Sequence, residues 1–117
     1  MQKIFDSELK LMELIWEREP VSAKDLSILA ATALEWNKNT TYTVIKKLEA
    51  KGFIKRTEPG FICTSLVSRH QVQKSEATSL ALRLFGGSKR ALFSALLEVE
   101  ELTEDDIAAL KKMINER

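Results

Sequence analysis

Asn37-Lys38-Asn39-Thr40-Thr41-Tyr42-Thr43-Val44-Ile45-Lys46-Lys47-Leu48-Glu49-Ala50-Lys51-Gly52 is the most clearly bounded stretch of the 117-residue chain. Asn37 is a good helix N-cap, since its side-chain oxygen can take up a backbone N–H that the first turn leaves unpaired. Gly52 follows the last turn, where a left-handed residue is wanted. Between them Thr41, Val44, Ile45 and Leu48 fall on one arc at about 100° per residue. The opposite arc carries Asn39, Tyr42, Thr43, Lys46 and Ala50, with Lys38 and Lys47 at its margins. Counting Lys51, this wet side holds four lysines against one acid, Glu49. One side of the helix is made for a core and the other for a polar partner.

Downstream of Gly52 the period changes from that of a helix to that of a strand. Phe53-Ile54-Lys55-Arg56-Thr57 is strand-like, Pro59-Gly60 suits the centre of a type II turn, and Phe61-Ile62-Cys63-Thr64 is the returning strand. Upstream, a core-facing helix follows Asp6, with Leu9, Met12, Ile15 and Trp16 on one stripe, widened by Leu11 and Leu14; Pro20 ends it. Ser22-Ala23-Lys24-Asp25 reads as a capping box, opening a helix whose narrow face is Leu26, Leu29, Ala30 and Ala33. Residues 1–67 are thus expected to form a winged helix-turn-helix: three helices, then a short hairpin. Trp16 and Trp36 are read as core, Cys63 as a small apolar filler, and His70 as a surface residue.

Residues 68–117 are helical and different in character. A long helix runs from Ser68 to Phe85, with Val72, Leu80, Ala81, Leu84 and Phe85 apolar; Gly86-Gly87 breaks it and Ser88 caps the next. Thr103-Glu104-Asp105-Asp106 is a further capping box, opening a helix with Ile107, Leu110 and Ile114 on one face. The middle helix is apolar nearly all round, through Ala91, Leu92, Phe93, Ala95, Leu96, Leu97 and Val99. Such a helix must be buried on every side, and two short neighbours cannot surround it. The expectation is that a second copy of the chain completes this core. Leu80, Leu84, Phe85, Leu92, Phe93, Leu96, Leu97, Ile107, Leu110 and Ile114 are the expected dimer contacts. The fold class is mainly α with a small β-hairpin wing, plus a C-terminal helical dimerisation domain.

Composition excludes several other classes. Apolar residues are 44% and charged residues 30%, too apolar for disorder. No apolar run approaches the roughly 20 residues of a membrane helix, and the N-terminus lacks a signal-peptide core. One cysteine and one histidine provide neither a disulfide nor a structural zinc site. A cytoplasmic protein with no membrane contact, metal or cofactor is expected. Net charge is only +1, but it is unevenly spread: residues 1–36 carry −3, residues 37–58 and 59–93 carry +4 each, and residues 94–117 carry −4. A basic middle between acidic ends suits a local anion-binding face.

The chemistry of the central helix fits the major groove of double-stranded DNA, which admits one amphipathic helix. Lys46 and Lys47 can reach phosphates or guanine edges. Thr40 and Thr43 can offer a hydroxyl to phosphate or a methyl to thymine, Asn39 can pair with adenine, and Tyr42 can rest on the backbone. The opening Asn37-Lys38-Asn39-Thr40 sets polar groups at the positive helix end, where phosphate is favoured. A lysine-rich face of this kind could also dock an acidic protein partner. Neither a phosphate-binding glycine loop nor a nucleophile elbow is present, and one histidine would have to serve any base role, so an enzyme is not expected.

The ordered set Ile4-x-x-x-Glu8-x-x-x-Met12-x-x-x-Trp16, Val21-Ser22-Ala23, and Trp36-x-x-x-Thr40-x-x-Thr43-Val44-x-x-Lys47-Leu48-x-x-Lys51-Gly52 resembles the penicillinase-repressor family of bacterial transcriptional regulators. The likeness continues through Leu66-Val67-Ser68-Arg69 and Glu100-Glu101-Leu102-Thr103-Glu104-Asp105-Asp106-Ile107. It implies a homodimeric repressor with an N-terminal winged helix on palindromic operator DNA, its recognition positions falling on Thr40, Thr43 and Lys47. Phe5 stands where the family has a Ser or Thr cap, leaving that task to Asp6. The basic residue usual after the turn glycine is missing, which leaves Lys55 and Arg56 on the outgoing strand as the wing's cations. The resemblance also implies release from DNA either by copper on paired C-terminal cysteines or by proteolytic cutting of the dimerisation domain. This chain ends without cysteine, and Ala95-Leu96 stands where antibiotic-type members have the Asn-Phe pair that is cut. Release through loss of the dimer, by a regulatory protease or a sensor protein, is the expectation.

Overall fold

The computed structural model describes residues 1–99 and 101–117. Its elements run α1 (Asp6–Arg18), β1 (Val21–Ser22), α2 (Ala23–Ala33), α3 (Lys38–Ala50), β2 (Ile54–Thr57), β3 (Ile62–Ser65), α4 (Arg69–Phe85), α5 (Lys89–Val99) and α6 (Glu104–Asn115). Both ends of α3 are fixed as its sequence demands. Asn37 Oδ1 accepts the Thr40 N–H at 2.8 Å. At the other end Gly52 takes φ +78°. That lets its N–H reach the Glu49 carbonyl at 3.1 Å and the Phe53 N–H reach the Leu48 carbonyl at 3.0 Å, the paired closure of a Schellman motif. Leu48 and Phe53, the two ends of that closure, are both fully buried.

Two compact units divide the chain, Met1–Glu76 and Ala77–Arg117. In the first, α1, α2 and α3 enclose a core centred on Leu11, Met12, Ile15, Leu26, Ile45 and Leu48. Val72, in the first turn of α4, is also buried in that core, which carries the unit beyond residue 67 to Glu76. The strands form one antiparallel sheet in the order β1-β3-β2. Val21 pairs with Cys63, and Arg56 pairs with Cys63 from the other side. The central strand is therefore β3, with Cys63 fully buried at its middle. Burial pushes the Cys63 thiol pKa up, against the opposing pull of the Arg56 charge.

Four local expectations are corrected. Asp6 is not the cap of α1: it is the helix's first residue, Phe5 is the boundary, and Glu8 reaches back to accept the Phe5 N–H at 2.8 Å. Ala33 is exposed, because the packed face of α2 ends at Ala30. Phe61 belongs to the turn, not to the returning strand. It has φ +51° beside Gly60 at +89°, so residues 58–61 make a four-residue connection. Lys51 does not join the wet face of α3. Its ammonium lies 2.7 Å from Glu8 Oε1 and 3.0 Å from the Lys3 carbonyl, 4.3 Å over the Phe5 ring. Glu8 is 1% exposed. A carboxylate so placed needs a charge partner or is strongly unfavourable, and Lys51 supplies it by tying the end of α3 to the start of α1.

In the second unit, Gly86 and Gly87 both take positive φ and separate α4 from α5. Ser88 Oγ accepts the Ala91 N–H at 3.0 Å, and Thr103 with Asp106 makes the reciprocal capping box expected at α6. Ser68 and Gln71 form a similar pair at the start of α4.

The connection between α2 and α3 carries a strained residue: Glu35 has φ +57°, a region that costs a side chain with Cβ about 1–2 kcal/mol. Glu35→Gly is expected to raise stability by about 0.5–1 kcal/mol, less than the full strain because glycine also frees the unfolded chain. At Gly52 an added Cβ would meet no atom within 4 Å, so Gly52→Ala should lose about 1–2 kcal/mol from backbone strain alone, and Gly52→Asn less. Urea midpoints at constant m-value would measure all three. Equal midpoints for Gly52→Ala and the parent would refute the left-handed closure.

Candidate nucleic-acid interface

Burial of Thr41, Val44, Ile45 and Leu48 fixes the rotation of α3, and with it what the helix shows to solvent. Lys38, Asn39, Thr40, Thr43, Lys46 and Lys47 are all exposed, and Tyr42 is half-buried at the edge with the Lys38 ammonium 5.7 Å from its ring centre. Thr43 donates its hydroxyl to the Asn39 carbonyl at 2.9 Å. The first turn of α3 carries no acid, so the positive helix end is uncompensated there and favours an anion. One side of a single helix thus gathers lysines, short hydroxyls and a carboxamide. Those groups can take phosphate oxygens and base edges at once.

The wing cations part company. Side chains alternate along a strand, and β2 follows this with Ile54 buried, Lys55 exposed, Arg56 half-buried and Thr57 exposed. Lys55 faces solvent. Arg56 faces back toward α3, where its Nη2 and Nε lie 2.9 and 3.1 Å from Glu49 Oε1 and its guanidinium sits 5.5 Å from the Phe61 ring centre. The hydrogen bond with Glu49, ahead of the coulombic attraction, raises the Arg56 pKa further. Sequence reasoning missed this pair, whose one visible signal is an acid in the last helical turn and a base seven residues on, across a glycine. It also missed Arg69, which binds Glu13 at 2.7 Å and lies 5.2 Å from the Trp16 ring centre, holding the start of α4 to α1. Trp16 and Trp36 are half-buried against the core, with Trp16 Nε1 donating to the Val67 carbonyl at 3.0 Å. His70 is exposed.

The second unit offers a surface of another kind. Of its described residues only Ala81 is buried. Leu80, Phe85, Leu92 and Leu110 are half-buried, while Leu84, Phe93, Leu96, Leu97, Ile107 and Ile114 are exposed. Leu82 and Met113 are exposed apolar residues that the periodicity did not single out. Between α5 and α6 an open groove of about 540 Å³ is lined by Phe93, Leu97, Leu102, Ile107, Leu110 and Ile114, among others. Among the described residues no group of three or more His, Cys, Asp or Glu could hold a metal ion, and no helix is long and apolar enough to cross a membrane.

Comparison with known proteins agrees with this arrangement of elements. Residues 4–116 match the model of the penicillinase repressor family. The methicillin resistance regulatory protein MecI of Staphylococcus aureus is 26% identical over 117 residues, covering 98% of this chain and 95% of its own length. The penicillinase repressor of Staphylococcus aureus is 26% identical over 112 residues, covering 94% and 89%. An uncharacterized 16.5 kDa protein of Latilactobacillus sakei is 29% identical over 114 residues, covering 96% and 78%. With a three-helix, winged N-terminal unit and a match over nearly its whole length, the chain belongs to the penicillinase repressor family of winged-helix transcriptional repressors, which are not enzymes.

Proposed function

We propose that this repressor acts as a homodimer on a palindromic operator, with α3 of each protomer in a major groove. The observation that carries the reading is the outer face of α3, where Lys38, Asn39, Thr40, Thr43, Lys46 and Lys47 are exposed together on a chain of net charge +1. Lys46, Lys47 and Lys38 take phosphates or guanine edges. Asn39, Thr40 and Thr43 read bases or position the helix, Tyr42 rests on the sugar-phosphate backbone, and Lys55 meets phosphate from the wing.

The dimer rests on the second unit. A helical unit in which Ala81 alone of the described residues is buried, with exposed leucines on two helices, leaves its apolar surface in water. At about 25 cal/mol for each Å² of apolar surface removed from water, a second copy seated on α5 and α6 would be favoured by the burial of these side chains. Release follows from the same arrangement: proteolysis in α5, or a sensor protein that competes for its apolar face, separates the two half-site contacts.

Lys46→Ala is expected to weaken binding to all duplexes alike if it meets phosphate, flattening the salt dependence by about 0.9 for each phosphate no longer neutralised. Thr43→Ala is expected to relax discrimination at one base pair by about 1–3 kcal/mol. Operator fragments selected from genomic DNA, with gel-shift titrations over a salt series, measure both. Unchanged affinity for both variants would move the interface elsewhere, and salt-independent binding would favour a protein partner.

Truncation after Glu76 keeps Val72 and the whole first core, so the fragment is expected to be a soluble monomer. Its operator affinity should fall by about 10²–10⁴ as the linked half-site contacts become separate events. Sedimentation of the fragment as a dimer, or of the full chain as a monomer at micromolar concentration, would overturn the architecture.

A further inference from the structure

The Glu49–Arg56 pair lies at the edge of the proposed interface, where an arginine would ordinarily be counted as a phosphate contact. We propose that Glu49 holds Arg56 away from DNA, so that this carboxylate withholds one sequence-independent contact per protomer and lowers affinity for every duplex. The inference goes beyond the function proposed above and rests on it.

Three restraints act on the guanidinium. Both Nη2 and Nε are directed at Glu49 Oε1, at 2.9 and 3.1 Å. The Phe61 ring lies 5.5 Å away, within cation–π range. The strand fixes the side on which Arg56 leaves the backbone, opposite Cys63 in the register and on the same side as buried Ile54. Its neighbour Lys55 leaves on the other side and is exposed. Glu49 is the only acid in α3, and it stands on the helix that carries Lys46 and Lys47. Unpaired, its charge would repel the phosphates that those lysines attract. Paired, it cancels one cation of the wing.

The consequence for recognition is a matter of differences. Each lysine or arginine that neutralises a phosphate strengthens binding to every sequence equally, while discrimination comes from base contacts. Withholding one sequence-independent contact per protomer lowers affinity for the operator and for competing sites by the same factor, and leaves the difference between them to the base contacts.

The test is the salt dependence of binding of the full-length protein to a mixed-sequence duplex and to the selected operator. In the otherwise unaltered chain, Arg56→Gln is expected not to steepen the slope of log K against log salt, since it releases no cation to phosphate and leaves the Glu49 charge unpaired. Glu49→Gln is expected to steepen it by about 0.9 for each protomer engaged, with affinity for the mixed-sequence duplex and for the operator raised alike. Glu49→Gln with Arg56→Gln should return the slope to that of the parent, which separates release of Arg56 from simple loss of a repulsive charge. The pair is partly exposed, at 22% and 37% for the two side chains, and such pairs contribute little to folding, so all three variants should keep the parent's circular dichroism. A slope as steep in the double variant as in Glu49→Gln would show that the gain does not come from Arg56 and would overturn the inference. So would an unchanged slope in Glu49→Gln. Parent protein whose DNA binding ignores salt would instead overturn the function on which the inference rests.

Discussion

The helix α3 must satisfy two solvents at once, and the rest of the first unit follows from that constraint. Thr41, Val44, Ile45 and Leu48 are buried on one side, so the helix cannot rotate without exposing them. The rotation in turn sets which polar groups stand outward. Its ends are fixed independently, by the Asn37 cap and the Gly52 closure. A third tie is the Lys51 ammonium, bound to the buried Glu8 carboxylate and the Lys3 carbonyl. Rotation, length and far-end position are thus each set by a different kind of interaction: apolar burial, backbone closure and a charge pair. The role proposed for α3 would need this redundancy, because base-edge contacts tolerate little displacement of the side chains that make them.

How much of this is legible in residues alone depends on how local each determinant is. The cap of α3, its terminal glycine and its apolar arc lie within one short continuous stretch, and all three stand as the pattern indicates. Strand β1 does not announce itself. It is two residues long, and Val21 and Ser22 become a strand only through pairing with Cys63 and Ile62, far along the chain. Lys51 is misread for the same reason: on a helical wheel it is one more surface lysine, and only the approach of Glu8 turns it inward. Arg56 and Lys55 are adjacent in sequence and alike in charge. They differ in environment because the pleat sends them to opposite faces, a distinction that needs the burial of Ile54 to fix its sign. In each case the pattern indicates the element and misses a partner distant in sequence.

The second unit shows the opposite balance. Its helices and caps are legible at Ser88 and Thr103, yet its packing is incomplete within one chain. The glycine pair at 86 and 87 allows α5 to leave α4 abruptly, and the apolar residues of α5 and α6 stay largely in water. In the dimer proposed above, folding and association of this unit would be coupled, since the burial that would stabilise the helices would arrive with the partner. The first unit owes nothing to that event: its core is closed by its own three helices, its sheet and Val72.

Cys63 is the chain's one thiol, and it lies fully buried in the central strand, between β1 and β2, with its proton held more tightly by burial. A thiol reagent attacks the ionised, accessible sulfur, so the folded sheet is closed to it on both counts. Labelling can proceed only when β3 parts from a neighbour or when the whole unit unfolds. The rate of modification is therefore a clock on opening of the sheet or of the whole first unit, built into the native sequence without an added probe. Compared with and without DNA, it would show whether binding slows the opening that exposes Cys63.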